Sequence, residues 1–459
     1  MLSAIRRSTR LPPRPTPALT QTQHLPSAYP VSDLASASIV AAGEAVAHFI
    51  SARHKTAPSV TVNQRLASLW FHSTLRPMGW SLPPLWDPIA GDYITKDDAW
   101  IRLHTNAPHH RAAALSTLDV PNTQTTTPED VAAAVATWNA TELETAVIAA
   151  NGCAGELRSS SSWAKHPQGI AVAKEPLVHS ELFPGPLPAE WSVDPTRPLH
   201  NIRVLDLTRV LAGPTATRFL AGYGADVLRI DPPSDLWVEA LAEEMTLGKR
   251  SAIVDLRTDT GKDTLQSLIA QADVVIHGYR GDALERLGIG PSVRRSLNPG
   301  LVDVTLCAYG WTGPWAHRRG FDSIVQMSTG IAETGMRVYG KHKPTPLPVQ
   351  ALDFATGFIV AAAAISGLAE RVRSGHGSHF RTSLARTAVL LESQRPNHHQ
   401  HRDFPPETEE DIDPRIEETF WGPARRLFSP LTISNTPVYW DTPAAPIGTS
   451  LPHWREANN

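Results

Sequence analysis

Residues 203–230 read RVLDLTRVLAGPTATRFLAGYGADVLRI, and the order of their parts decides the fold. Residues 203–207 (RVLDL) are a short apolar run of strand length, followed by a turn at Gly213 and Pro214. A helix pattern then runs to Gly222, and residues 225–230 (ADVLRI) give a second strand. Working outward, residues 252–256, 273–277 and 301–307 supply three more strands, separated by helical stretches at 260–270 and 282–287. Strands alternating with helices at this spacing argue for a parallel, doubly wound α/β sheet.

Such sheets bind ligands beyond the carboxyl ends of their strands. Here the loops that reach that edge hold residues 210–214, 278–280 and 309–319. No GxGxxG follows the first strand, so the dinucleotide fingerprint is missing, and the pattern alone describes a fold rather than a cofactor site.

The chain of 459 residues is long enough for two or three domains. A formal net charge of −3 gives no electrostatic reason to expect nucleic acid as a partner. Cys153 and Cys307 stand far apart, outside any CxxC or metal-ligand spacing, so a reducing compartment is the simpler reading. No run approaches the roughly 20 apolar residues that span a bilayer, and no membrane partner is expected. Residues 354–368, alanine-rich and broken by Thr356, Gly357, Ser366 and Gly367, read as a buried helix. Two histidine groups, His104, His109 and His110, and His398, His399 and His401, lack a Cys or carboxylate at ligand spacing. They read as loop histidines, and no metal is expected.

Residues 1–35 read as a leader. Arg6, Arg7, Arg10 and Arg14 precede the first acidic residue, Asp33, which is the composition of a transit peptide. Pro12, Pro13, Pro15 and Pro17 would break the amphipathic helix of such a peptide, so a disordered tail is the other reading. Cytoplasmic and mitochondrial locations both stay open. Residues 36–50 read as a helix and 98–104 as a strand. Residues 128–150 are helical, with Val131, Ala134, Val135 and Trp138 on one face. Thr141 and Glu144 suggest a capping box for a second helix there. Residues 159–162 read as a loop, 182–198 as a proline-rich linker, and 394–459 as a flexible connector and tail.

Five blocks in the second half occur in order: 204–214 (VLDLTRVLAGP), 224–232 (GADVLRIDP), 247–256 (LGKRSAIVDL), 272–290 (ADVVIHGYRGDALERLGIG) and 298–313 (NPGLVDVTLCAYGWTG). Residues 352–367 (LDFATGFIVAAAAISG) and 375–383 (GHGSHFRTS) follow. This succession resembles the class III CoA-transferase family, the group that includes formyl-CoA transferase, carnitine CoA-transferase and α-methylacyl-CoA racemase. The resemblance implies a CoA-binding domain over residues 199–393. It implies an α/β fold: a Rossmann-like parallel sheet with helices on both faces plus a smaller α+β domain. Acyl-CoA and a small carboxylic acid are the implied substrates, and a homodimer the implied assembly.

Asp353 takes the place of the family's catalytic aspartate. Read from the residues, an Asp before an apolar helix is a favoured N-cap at the positive end of the helix dipole, which keeps it ionised. The implied chemistry is attack of Asp353 on a donor thioester to give a mixed anhydride, then return of the CoA thiolate to leave an aspartyl-CoA thioester. An acceptor acid reverses these steps. Backbone N–H groups at the helix start are expected to stabilise the oxyanions. For CoA itself, Leu211 and Ala212, Lys249, Gly278, Tyr279 and Arg280, Arg286, and Arg319, Gly320, Phe321 and Asp322 match contact positions. The cations among them suit the phosphates. Pro232-Pro233 departs from the family at a position where many members place an Arg.

The racemase branch uses a His and an Asp on opposite faces of the substrate α-carbon, the His lying in a Gly-His-Asp stretch. Here that stretch is Gly320-Phe321-Asp322, and phenylalanine cannot shuttle a proton. Transferase is therefore the reading, with racemase and a catalytically silent CoA-binding protein as alternatives. Residues 91–104 (GDYITKDDAWIRLH), 138–157 (WNATELETAVIAANGCAGEL) and 162–169 (SWAKHPQG) resemble the family's small domain. Residues 36–181 thus look like a partial second copy that completes the other half.

Overall fold

A computed structural model describes residues 1–54, 56–233, 241–396 and 403–456. His398, His399 and His401 lie outside the described residues. The expected strands form one parallel sheet: Arg203–Leu207, Asp226–Asp231, Lys249–Ile253, Val274–His277 and Val302–Cys307, joined by Gly377–Ser383. Counted in chain order, these six lie side by side as 3-2-1-4-5-6. A seventh strand, His179–Phe183, closes one edge antiparallel to Gly377–Ser383. Val204 pairs with Val227 on one side and Val274 on the other, so the strand order reverses at the first strand. Parallel strands covered on both faces need near-continuous apolar runs, which VVIH and VDVTLC supply.

The third strand begins at Lys249, not at residue 252 as expected. Its polar start is accommodated by pairing: Lys249 meets Asp206 at 3.0 Å and Arg250 meets Asp226 at 3.0 Å. The hydropathy pattern cannot register such pairs, because each partner sits on a different strand.

Two long helices, Val31–Ser51 and Ala351–Ser374, pack on one another in the main core. Their alanines, among them Ala41, Ala42, Ala45 and Ala361 to Ala364, let the backbones approach closely. Contrary to expectation, both are long and apolar enough to cross a membrane by length and composition; here both are buried inside the fold, as core helices are. Phe71 stacks on Phe354 and Phe358 at 5.6 and 6.3 Å, tying the first half of the chain to the second helix.

A smaller α+β lobe has its own core of Tyr93, Ile101, Leu103, Leu115, Val131, Val135 and Val147. Its sheet is Gly91–Ile94, Trp100–Leu103 and Ala154–Glu156. Helix Pro128–Val135 is capped by Thr127 and Asp130 rather than running on to residue 150. A second helix, Ala140–Ala149, starts after Asn139. The expected Thr141–Glu144 capping box is not formed, because Glu144 is drawn to Arg158 (2.7 Å) and Arg318 (3.0 Å). Ser159 caps helix Ser160–Lys165 instead of lying in a loop.

The chain ends also depart from expectation. Residues 1–35 carry helix Leu2–Ser8, whose Ile5 is fully buried and whose Arg6 donates to Glu44 at 2.8 Å. The prolines fall after that helix, so they do not break it. Within 394–459, strands Ile412–Thr419 and Gly422–Leu427 form a sheet with Leu75–Pro77. Leu431–Ile433 pairs with Val60–Asn63, and Trp454 is buried in a core cluster. Burial of apolar side chains against distant partners, invisible in local composition, orders these segments.

Candidate active site

The strand order reverses between Arg203–Leu207 and Val274–His277, and the crevice beyond the carboxyl ends at such a reversal is where sheets of this kind bind ligands. The loops after these strands carry Leu211 and Ala212 on one side and Gly278, Tyr279 and Arg280 on the other. The first loop turns tightly. Gly213 is required there, because an added Cβ would lie 2.2 Å from Cβ of Thr208. Val210 has φ +68, a conformation that a β-branched side chain rarely adopts and that concentrates at functional sites.

A cavity of about 380 Å³ opens beside this loop. Val210, Leu211, Phe321, Asp322, Asp353 and Phe354 line it from the second half, and Phe71, Leu85, Trp86, His104 and Asn106 from the first. The chain's two halves thus build one site.

Asp353 is 7% exposed and sits in the first turn of helix Ala351–Ser374. It is not the N-cap, which is Gln350. Its backbone N–H donates to Oδ2 of Asp322 at 2.9 Å. Asp322, 1% exposed, opens helix Asp322–Ser328 and accepts a bond from Gln326, one turn on. Burial, reinforced by the Asp322 charge, raises the Asp353 pKa well above the usual carboxylate range. Burial likewise pushes Asp322 up to about 6 against the pull of its hydrogen bonds. The expectation that the helix dipole keeps Asp353 ionised is therefore overturned: desolvation and a like charge outweigh the dipole, which is worth roughly 0.3–1 kcal/mol at an exposed terminus. The expected oxyanion donors are also committed. The N–H groups of Ala351 and Phe354 bond Val349 O and Gln350 O, and those of Leu352 and Asp353 bond Asp322.

Lys249 does not face the crevice. Its ammonium is fully enclosed, donating to Asp206 at 3.0 Å and to Pro214 O at 3.1 Å. This placement does not support the expected nucleotide contact; the residue ties the third strand to the turn after the first. Arg286 is exposed and bound to Asp282 one turn earlier. Arg280 is exposed, and Arg319, half-buried, donates to Asn151 O. Burial and the nearby Arg280 charge lower the Arg319 pKa, so the two cations stand close together. Tyr279 precedes Arg280 in the chain, with the Arg209 guanidinium 5.7 Å from its ring. Gly320 brings its backbone against Ala308 and Tyr309, where a Cβ would be 2.8 Å from each.

Phe321 stacks on His104, ring centroids 4.0 Å apart, with His110 edge-on at 5.6 Å. His104 lies in the loop after strand Trp100–Leu103, as expected, whereas His109 and His110 lie in helix Pro108–Thr117 rather than in a loop. Nδ1 of His104 is buried without a hydrogen-bond partner, and burial lowers its pKa to about 3, so the ring is neutral. Phe71 and His104 escaped the sequence reading because Phe354 and Phe321, on which they stack, lie in the other half of the chain, and Trp86 because it is set against His104 only by the fold; the one signal was the cluster of aromatic and histidine residues in the first half. Among the described residues no group of three His, Cys, Asp or Glu is placed to hold a metal ion.

Residues 199–420 match the family model CoA-transferase family III. The chain is 33% identical over 222 residues to the probable fatty acyl-CoA transferase Rv3272 of Mycobacterium tuberculosis, covering 46% of this chain and 56% of the relative. It is 32% identical to the succinyl-CoA–D-citramalate CoA-transferase of Chloroflexus aurantiacus, covering 44% and 54%. Against the succinyl-CoA:glutarate CoA-transferase of Mus musculus the identity is 30%, covering 44% and 48%. A crystal structure of Rv3272 matches 44% of this chain and 59% of that one, with 34% identity and a TM-score of 0.40. The chain spans about half the length of the curated relatives it matches. The stretch that matches the CoA-transferase family III model, residues 199–420, is the one that carries Asp353 and the crevice loops.

Proposed function

We propose that the chain moves CoA from an acyl-CoA donor to a carboxylic acid through an aspartyl-CoA thioester on Asp353. The observation that carries this reading is the buried Asp353 carboxyl at the crevice of a family III domain, in a cavity open to a ligand. After losing its proton, one carboxylate oxygen of Asp353 attacks the thioester carbon. The C–S bond breaks, leaving a mixed anhydride and CoA thiolate. The thiolate attacks the aspartyl carbonyl of that anhydride, releasing the donor acid and leaving Asp353 as a thioester. An acceptor carboxylate then displaces the thiolate, which takes the acceptor acyl group and restores the Asp353 carboxylate. Arg280 and Arg319, outside the cavity lining, offer charge to the CoA phosphates. A homodimer is the assembly the resemblance implies, and sedimentation of the purified chain tests it.

One observation favours a second reading. His104 lies in the same cavity as Asp353 and offers the imidazole that Phe321 denies to a racemase. A base with a pKa near 3 is poorly matched to removing an α-proton near neutral pH, so transfer is the better reading. Asp353→Ala tests it: exchange of labelled acid into acyl-CoA should vanish while CoA still binds. Incubation with acyl-CoA and hydroxylamine should place a hydroxamate on the Asp353 peptide. Solvent deuterium appearing at the α-carbon of a 2-methylacyl-CoA, without that adduct, would favour the racemase instead.

A further inference from the structure

We infer that the site takes an apolar monocarboxylic acyl group and rejects dicarboxylic acyl-CoAs. The inference rests on Asp353 as the group that meets the thioester, which places the acyl chain within the cavity. There its neighbours are Phe71, Leu85, Trp86, Phe321, Val349 and Phe354. Walls of this kind favour each buried methylene.

Charge decides what the far end of the chain can be. Among the described residues no lysine or arginine lines the cavity, while Glu243, Glu244, Asp322 and Asp353 do. Cations behind the wall are held by acidic partners. Arg218 and Arg426 bind Glu244. Arg102 gives Nη1 to Asp92 at 2.7 Å, leaving Nε buried without a hydrogen bond, and lies against the Trp86 ring, 5.1 Å from its centroid. Residues 234–240, next to Leu241 in the chain, read SDLWVEA and contain no basic residue. His104 is neutral. A second carboxylate would therefore be desolvated with no lysine or arginine in the lining to pair with it, among carboxyl groups that offer no compensating charge, which is among the costlier arrangements a site can impose. Arg280 and Arg319 do not relieve it, because neither lines the cavity.

The test compares symmetrical exchange, in which each acyl-CoA is incubated with its own labelled acid, for hexanoyl-CoA, benzoyl-CoA, succinyl-CoA and glutaryl-CoA. The first two should exceed the last two by at least about 100-fold in kcat/KM, as expected when a site leaves a buried charge unpaired. Calorimetry on Asp353→Asn, which needs no turnover, should rank the affinities in the same order. That ranking without any exchange would overturn the transfer reading and support this one. Equal or tighter succinyl-CoA binding would overturn the inference. Leu85→Arg, at the partly exposed mouth, should raise the succinyl-to-hexanoyl ratio by about 10-fold or more by supplying the missing cation; an unchanged ratio would count against the cavity as the acyl site.

Discussion

Replacing Lys249 with Met separates two roles for one residue. In the folded chain both Lys249 and Asp206 side chains are fully buried. Asp206 also accepts from Thr208 N at 2.9 Å and Thr217 Oγ1 at 2.6 Å. Burial alone would raise the Asp206 pKa, but the Lys249 charge and these donors hold it below its ordinary value. Burial pulls the Lys249 ammonium down to about 8 against the pull of Asp206, so both remain charged at neutral pH. The carboxylate fares better of the two because it has several donors, whereas the ammonium has two acceptors. Lys249→Met strands a buried carboxylate, and the expected loss is about 3–5 kcal/mol at pH 7, read from urea midpoints. The sign of the pH dependence identifies the cause. In the native chain Asp206 contributes stability above its unfolded pKa, near 3.9, and loses it as pH falls through the depressed folded value. In the variant burial wins, the folded pKa rises, and the cost is relieved as pH falls, so the deficit should be smaller at pH 5 than at pH 8. Adding Asp206→Asn should recover most of the loss. CoA affinity of the folded variant should change less than about threefold, because the ammonium faces Asp206 and Pro214 rather than the crevice. A stability loss below about 1 kcal/mol together with a tenfold loss of CoA affinity would refute this account and restore Lys249 as a nucleotide contact.

Asp322→Asn removes the like charge that helps hold Asp353 protonated, while its amide oxygen can still accept from the Asp353 N–H. The acid limb of the exchange rate should move to lower pH; movement to higher pH would mean that Asp322 stabilises the ionised nucleophile. Gly213→Ala forces a Cβ into Thr208, one of the donors to Asp206, and should cost about 1–3 kcal/mol and reduce exchange, measured by thermal unfolding and turnover. Arg6→Met leaves Glu44, 2% exposed, without the guanidinium that binds it, and should cost about 3 kcal/mol; an unchanged melting temperature would mean that the first helix does not contribute to the fold.

Much of the sheet was legible because its strands are apolar runs of four to six residues and its helices carry a 3.6-residue period. Asp353, which lines the cavity, had been singled out from the ordered motifs around it. The ionisation of Asp353 was not. Local sequence shows an acid at a helix start, while its pKa is raised by burial and, after that, by the charge of Asp322, which arrives from a different helix. Lys249 illustrates the same limit in reverse: a basic residue in a motif looks available until the fold sets Asp206 against it.

By itself, then, the sequence determined the alternation of strands and helices, since that depends on neighbours within a few residues, and it singled out Asp353 through the motif series in which it stands. Only the tertiary structure decided which charges are taken up in pairing, that Phe71, Trp86 and His104 come from the first half to wall the cavity, and that helix Leu2–Ser8 and strands Ile412–Thr419 and Gly422–Leu427 form near the ends of the chain. Burial and charge pairing are set by whatever packs nearby in space, and in this chain those partners stand from 31 residues away along the backbone, for Asp322 and Asp353, to the opposite half of the chain, for Phe71 and Phe354.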